Sequence, residues 1–252
     1  MTWQMIVQSA ALPLLSGIAA WTFRSYALWI LVGTVWLSGL WQTNGQLHSI
    51  LTPVIAMTIM AALYTMKNDP PKIAYALLIT VISAGLYWWM VRRFIGQTEI
   101  IEWAITLAGV FLSIIYIQSL KDNTPHPAFL ALLAPLGGMA LVVALFGSIK
   151  IGVISGTMAS IALAAWVLSL KNITNDRVLA QIVTLPTLFV SVLAYYFAEI
   201  QVELLFILLL NWLLIPVLNR YPALIQYTMV FILGIATTGM ALWLGWPEQP
   251  PY

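Results

Sequence analysis

Polar residues fall along this chain in short islands, and the stretches between them are almost wholly apolar, running over residues 2–23, 26–42, 48–66, 73–91, 102–120, 128–146, 151–170, 178–197, 202–218 and 223–246. An α-helix needs ~20 such residues to cross the hydrocarbon core of a bilayer. The pattern therefore predicts an all-α integral membrane protein of about ten transmembrane helices. The islands are good stop signals: Lys67-Asn68-Asp69-Pro70-Pro71 ends the third run, and Lys121 to Pro127 ends the fifth. Only Gly147, Ser148, Ile149 and Lys150 separate the sixth and seventh runs. That connection must be a tight turn.

Composition sharpens the picture. Hydrophobic residues make up 62% of the 252 positions and charged residues 7%, whereas a soluble domain carries about a quarter charged residues. Ten spans leave no room for a soluble domain. Without cysteine there is no disulfide, thiolate metal site or thiol catalysis. A net charge of +2, scattered along the chain, does not point to nucleic acid or to a polybasic lipid patch. The first run has neither a basic leader nor a small-residue cleavage site, so it is expected to stay as a span.

Lys and Arg divide unevenly between alternate loops. Those after the odd-numbered runs hold Arg24, Lys67, Lys72, Lys121, Lys171, Arg177 and Arg220; the others hold Arg92, Arg93 and Lys150. The richer set is expected to face the cytoplasm. Both termini then lie outside, and the expected location is the bacterial cytoplasmic (inner) membrane.

The chain also echoes itself. Leu12 to Gly17 (LPLLSG) and Ala134 to Gly138 (APLGG) each set a proline and small residues inside an apolar run. In the same order, Val32-Gly33-Thr34 matches Ser155-Gly156-Thr157, Thr52-Pro53 matches Leu185-Pro186, Arg93-Phe94 matches Arg220-Tyr221, and Ile101-Glu102-Trp103 matches Ile225-Gln226-Tyr227. Five matches in register predict two five-helix repeats, residues 1–122 and 123–252. An odd number of helices in each half makes the second enter the membrane inverted, an arrangement common in secondary transporters. The third run and its loop (LTPVIAMTIMAALYTMKNDPPK) resemble the proline-bearing helix of drug/metabolite transporters. The resemblance covers this one helix, which that family carries later in the chain.

Few residues inside the runs can do chemistry. Asn211 lies in the middle of the ninth run, and its amide either bonds a neighbouring helix or meets a ligand. Gln8 and Gln181 have the same two readings. Glu99 and Glu102, and Glu199 and Glu203, stand near the starts of the fifth and ninth helices at spacings that put each pair on one helical face. They are read as helix caps or as a cation-attracting, proton-coupling mouth. His48 and His126 fall near the ends of runs and make no metal or haem pair. Ser155 in GVISG has no histidine base on a later helix, so a rhomboid-type protease is excluded. Gly152 and Gly156 form a G-x-x-x-G, a close-packing signal for a helix of this chain or of another subunit.

These features predict a permease or flippase-like transporter of an amphipathic or lipid-like molecule, without cofactor or enzyme activity. Its expected pathway residues are Pro13, Gly17, Pro135, Gly138, Glu102, Glu203 and Asn211. The alternative is a non-catalytic subunit of a larger membrane assembly. Expected partners are the lipid bilayer and either membrane proteins or a second copy. A reporter fused after Tyr252 should report an outside C-terminus; a cytoplasmic signal would overturn the orientation.

Overall fold

A backbone in lipid has to satisfy its own hydrogen bonds, and for a single apolar run the helix is the way to do so. In the computed structural model, which describes residues 7–40, 51–65, 72–91, 104, 108–109, 111, 126–171, 176–218 and 220–246, all regular structure is helical. A π-helical turn, Val7–Ala11, leads into α1 (Leu12–Thr22), followed by α2 (Ala27–Leu40), α3 (Thr52–Thr65) and α4 (Lys72–Val91). Then come α5 (His126–Phe146), α6 (Ile149–Ser169), α7 (Asp176–Ala198), α8 (Val202–Leu209), a 3-10 segment (Leu210–Leu214), α9 (Ile215–Leu218) and α10 (Ala223–Gly245). Of the fifth apolar run, Ala104, Ala108, Gly109 and Phe111 are described, and all four are helical.

Three helices, Pro127–Phe146, Ile149–Ser169 and Ala223–Gly245, are long and apolar enough to cross a membrane. Shorter apolar helices occupy Leu12–Thr22, Thr52–Ala62, Ala76–Met90, Ile182–Ala198 and Val202–Leu218. Side chains such as Leu14, Ile18, Val81, Phe206, Phe231 and Trp243 stand exposed on the outer faces. In water such a surface would aggregate, whereas in a bilayer it meets its natural solvent.

Helix α5 is the hub. It packs on α6, α7, α8 and α10, while α2 and α1 lie on α6 and α3 lies on α7. Leu136, Met139, Val142 and Val143 of α5 are fully buried, together with Met158 of α6 and Val190 and Leu193 of α7. The closest approach is the α5–α6 hairpin. A Cβ on Gly152 would stand 2.6 Å from Ala144 Cβ and 2.8 Å from the Ala144 backbone nitrogen, and one on Gly156 would be 3.4 Å from Ala140 Cβ. The G-x-x-x-G is therefore an internal seam, which decides between the two uses that spacing left open.

The ends of the helices show which loops share a side. Arg24, after α1, and Lys171, after α6, both lie over the Trp21 ring, at 5.6 and 4.2 Å from its centroid. Trp166, late in α6, meets Tyr227 at the start of α10 edge-on, with centroids 6.4 Å apart. At the opposite end, Phe146 meets Trp246 at 6.2 Å, and a Cβ on Gly147 would touch Ala198 at 2.6 Å. The loops after the first, seventh and ninth runs thus share one end and those after the sixth and eighth the other.

Two local expectations change. The ninth run is not one helix: α8 stops at Leu209, and the turn from Leu210 to Leu214 tightens to 3-10 geometry. Pro216 is the reason, because it has no N–H for Trp212 O and its ring crowds that carbonyl. Ile215 N–H donates to Trp212 O instead. Glu199 is also not on a helix. It has φ 53° in the turn after α7, where Ile200 N–H reaches back 3.1 Å to Ala194 O. Glu199 and Glu203 therefore do not share a helical face, and Glu203 alone lies in the first turn of α8.

The seam gives a direct test. Gly152→Ala should lower stability by about 1–3 kcal/mol, because backbone rather than a movable side chain stands in the way. Gly239→Ala, which meets nothing within 4 Å, should be neutral or stabilising by roughly 0.5–1 kcal/mol. Reversible unfolding in mixed micelles would compare the two.

Candidate functional site

The three membrane-long helices α5, α6 and α10 do not close on one another along their whole length. Between them lies an open groove of about 720 Å³, within the ~300–1,000 Å³ usual for small-molecule sites. Small residues line its middle: Ala134, Gly137 and Gly138 on α5, Ala159 on α6 and Gly234 on α10. Leu133, Leu141, Leu163 and Phe231 supply apolar walls. The small residues are at mid-height, since Gly234 is the central residue of α10, Ala159 that of α6, and Gly137 is next to the centre of α5. At 1.5 Å per residue α10 is about 34 Å long, so this is close to the bilayer midplane.

Polar atoms are few and specifically held. Ser160 and Thr228, on the groove, return their hydroxyl protons to Gly156 O and Leu224 O within their own helices, at 2.8 and 3.0 Å. Behind Gly234 lies Asn211, 1% exposed, in the 3-10 segment that follows α8. Its Nδ2 donates to Leu208 O at 2.9 Å and to Thr237 Oγ1 of α10 at 2.8 Å. Thr237 in turn donates to Leu233 O at 2.9 Å. A carbonyl only accepts, so the Leu208 contact fixes which end of the amide carries nitrogen. Asn211 Oδ1 is left buried with no hydrogen-bond partner among the described residues. It lies 4.0 Å from where a Cβ on Gly234 would stand.

Two donors support α5 where its proline disturbs it. Pro135 supplies no N–H to Ala131 O, and the indole of Trp212 donates to the adjacent Leu132 O at 3.3 Å. Ser155 donates to Leu136 O at 2.8 Å. With these contacts α5 continues from His126 to Phe146 without interruption, so Pro135 strains the helix but does not break it.

Comparison with known protein families, with curated proteins and with solved structures finds no match to this chain. The site is therefore read from its geometry.

Of the residues singled out from sequence, Gly138 lines the groove, Pro135 is buried in the same helix, and Asn211 is buried behind Gly234. Pro13 and Gly17 are elsewhere, on α1. Pro13 is buried just after the π turn, and Gly17 sits where a Cβ would be 3.6 Å from Ala164 of α6. Gln8 is buried in the π turn, and its carbonyl lies 3.5 Å from Thr157 Oγ1. Glu203 is exposed at the start of α8 and does not line the groove. Glu99, Glu102 and His48, and the side chains of Gln181 and His126, lie outside what is described. Sequence reasoning missed Thr237 and the 3-10 turn. Pro216 was the available signal for the turn, and Thr237 was hidden in one more small-residue stretch of an apolar helix.

Thr237→Val keeps the shape and removes the acceptor for Asn211 Nδ2. It should cost about 0.6–1.7 kcal/mol, read as a lowered unfolding midpoint, with Thr237→Ser close to wild type.

Proposed function

We propose that this chain is a small membrane permease or flippase-like transporter that carries an amphipathic or lipid-like molecule. The observation that carries the reading is the groove: apolar, open, and lined by small residues at mid-height of the three membrane-long helices. An alkyl chain fits such walls, and a molecule moving along the groove stays in contact with lipid. In this reading the chain crosses the membrane ten times as two inverted halves, 1–122 and 123–252. Support for the halves comes from like packing on like. The helix of Gly33-Thr34 lies on that of Gly156-Thr157, and the helix of Thr52-Pro53 lies on that of Leu185-Pro186, as helices related by an axis in the membrane plane would. Pro13 and Gly17, on the α6 side of the bundle, then belong to the moving contacts between the halves, and Glu203 to the mouth.

A second reading has its own observation. Leu224, Phe231, Ile232, Ile235, Met240 and Trp243 leave much of α10 uncovered, a face that a partner in a larger membrane assembly could cover.

The test is reconstitution. Vesicles holding the protein and a tail-labelled fluorescent glucosylceramide, a neutral lipid whose headgroup carries hydroxyl donors, should lose outer-leaflet asymmetry faster than protein-free vesicles. Gly137→Trp, placed on the groove where a Cβ meets nothing within 4 Å, should abolish the acceleration. No acceleration, together with a reproducible heteromeric mass for protein extracted from its own membrane, would favour the subunit reading.

A further inference from the structure

We infer that the groove recognises a hydrogen-bond donor on its occupant, a hydroxyl or an amine, through Asn211 Oδ1 at the seam between Ala134 and Gly234. The inference rests on the groove being the substrate site. The buried oxygen is the observation behind it. Asn211 is 1% exposed, its amide nitrogen is spent on Leu208 O and Thr237 Oγ1, and Thr237 has its proton on Leu233 O. Nothing described donates to Oδ1. A buried amide oxygen without a donor is costly unless something donates to it at some stage of the protein's work.

The route to that oxygen is past Gly234. Gly234 and Ala134 both line the groove, and the space that a Cβ on Gly234 would fill is bounded by Ala134 Cβ at 3.7 Å and Asn211 Oδ1 at 4.0 Å. That space holds no side chain because the residue is glycine. The oxygen has no exposed surface and Asn211 is not among the groove-lining residues, so a donor on a chain lying in the groove reaches it by entering this space as the Ala134–Gly234 seam parts. The position suits a polar group in transit: Gly234 is the middle residue of α10, where a group crossing lipid is furthest from water and most in need of a partner. The site selects by chemistry. A neutral amide oxygen accepts from an alcohol or an amine and offers nothing to an ether, and it repels a carboxylate or phosphate oxygen.

The test uses the full-length protein in detergent micelles, titrated with 1-hexadecanol, hexadecylamine and hexadecyl methyl ether, with bound molecules counted by native mass spectrometry. Wild type should take the alcohol and the amine about tenfold more tightly than the ether, the ratio set by one buried hydrogen bond. Gly234→Ala puts a methyl group over Oδ1 at ordinary contact distances, so it should fold normally, still bind all three chains and lose the preference. Asn211→Leu should lose it too, and its thermal unfolding would establish that it is folded. Equal binding of the three by wild type, or a preference that survives Gly234→Ala, would overturn the inference and leave the groove intact as a chain-binding site. Failure of wild type to bind any of the three would overturn the groove reading and this inference together.

Discussion

A backbone surrounded by lipid has no water to fall back on, and at two prolines inside the described helices nearby groups donate to the carbonyls of the disturbed turns. Pro135 disturbs α5, and Trp212 and Ser155 donate to Leu132 O and Leu136 O on either side of it. Pro216 forces the ninth run out of α geometry, and Ile215 N–H takes over Trp212 O. The donors come from particular places. Ser155 lies between the two glycines of α6, and Trp212 lies in the 3-10 segment that Pro216 creates. One irregularity thus supports another: the strained turn of the ninth run is what brings an indole to the strained turn of α5.

The same dependence places the groove. Gly152 and Gly156 let α6 approach α5 until side chains would meet backbone, and this close pairing carries Ser155 to Leu136 O. On the other flank, α10 is held to α5 through Gly138, where a Cβ would strike Leu208 at 2.5 Å and Thr238 at 3.0 Å, and through Gly234 against Ala134. With α6 drawn tightly to one side of α5 and α10 lying on another, a channel remains between α6 and α10. The glycines do two different things here. Those on the α5–α6 seam remove volume so that helices touch, whereas Gly137 and Gly234 face the channel and leave space that other residues would fill.

Much of the helical framework was legible in the polar islands, because charges and prolines are costly in lipid and so mark ends sharply. The sixth run at 128–146 became His126–Phe146, and the tenth at 223–246 became Ala223–Gly245. The sharing of loops between the two ends followed as well, since Arg24 and Lys171 meet on Trp21. Less legible was anything that depends on which face of an apolar helix points where. In a run apolar all round, no periodicity distinguishes lipid from core, so Gly234 facing a groove looks the same as Gly239 facing nothing. Asn211 could be singled out because an amide in hydrocarbon is conspicuous. Its orphaned oxygen could not, because it depends on Thr237, 26 residues away. Glu199 was misplaced for a related reason: carboxylate spacing suggests a helical face, but the chain needed a left-handed turn there to leave α7.

The chemistry of the groove bears on what could occupy it. An ion crossing at mid-height would need several oxygens or an opposite charge to replace its water, and an isolated charge in such surroundings is penalised heavily. The described lining has hydroxyls at Ser160, Thr228 and Thr238, the phenol of Tyr227, and no ionisable carboxylate, lysine or arginine. Ser160 and Thr228 already direct their protons to their own helices. The walls reward contact with alkyl carbon along their whole length and offer a polar partner only at isolated points. A molecule that is mostly chain, with a small neutral or donor-bearing polar group, loses little on leaving lipid for this groove. A small hydrophilic solute or a bare ion would lose most of its hydration and recover almost none of it.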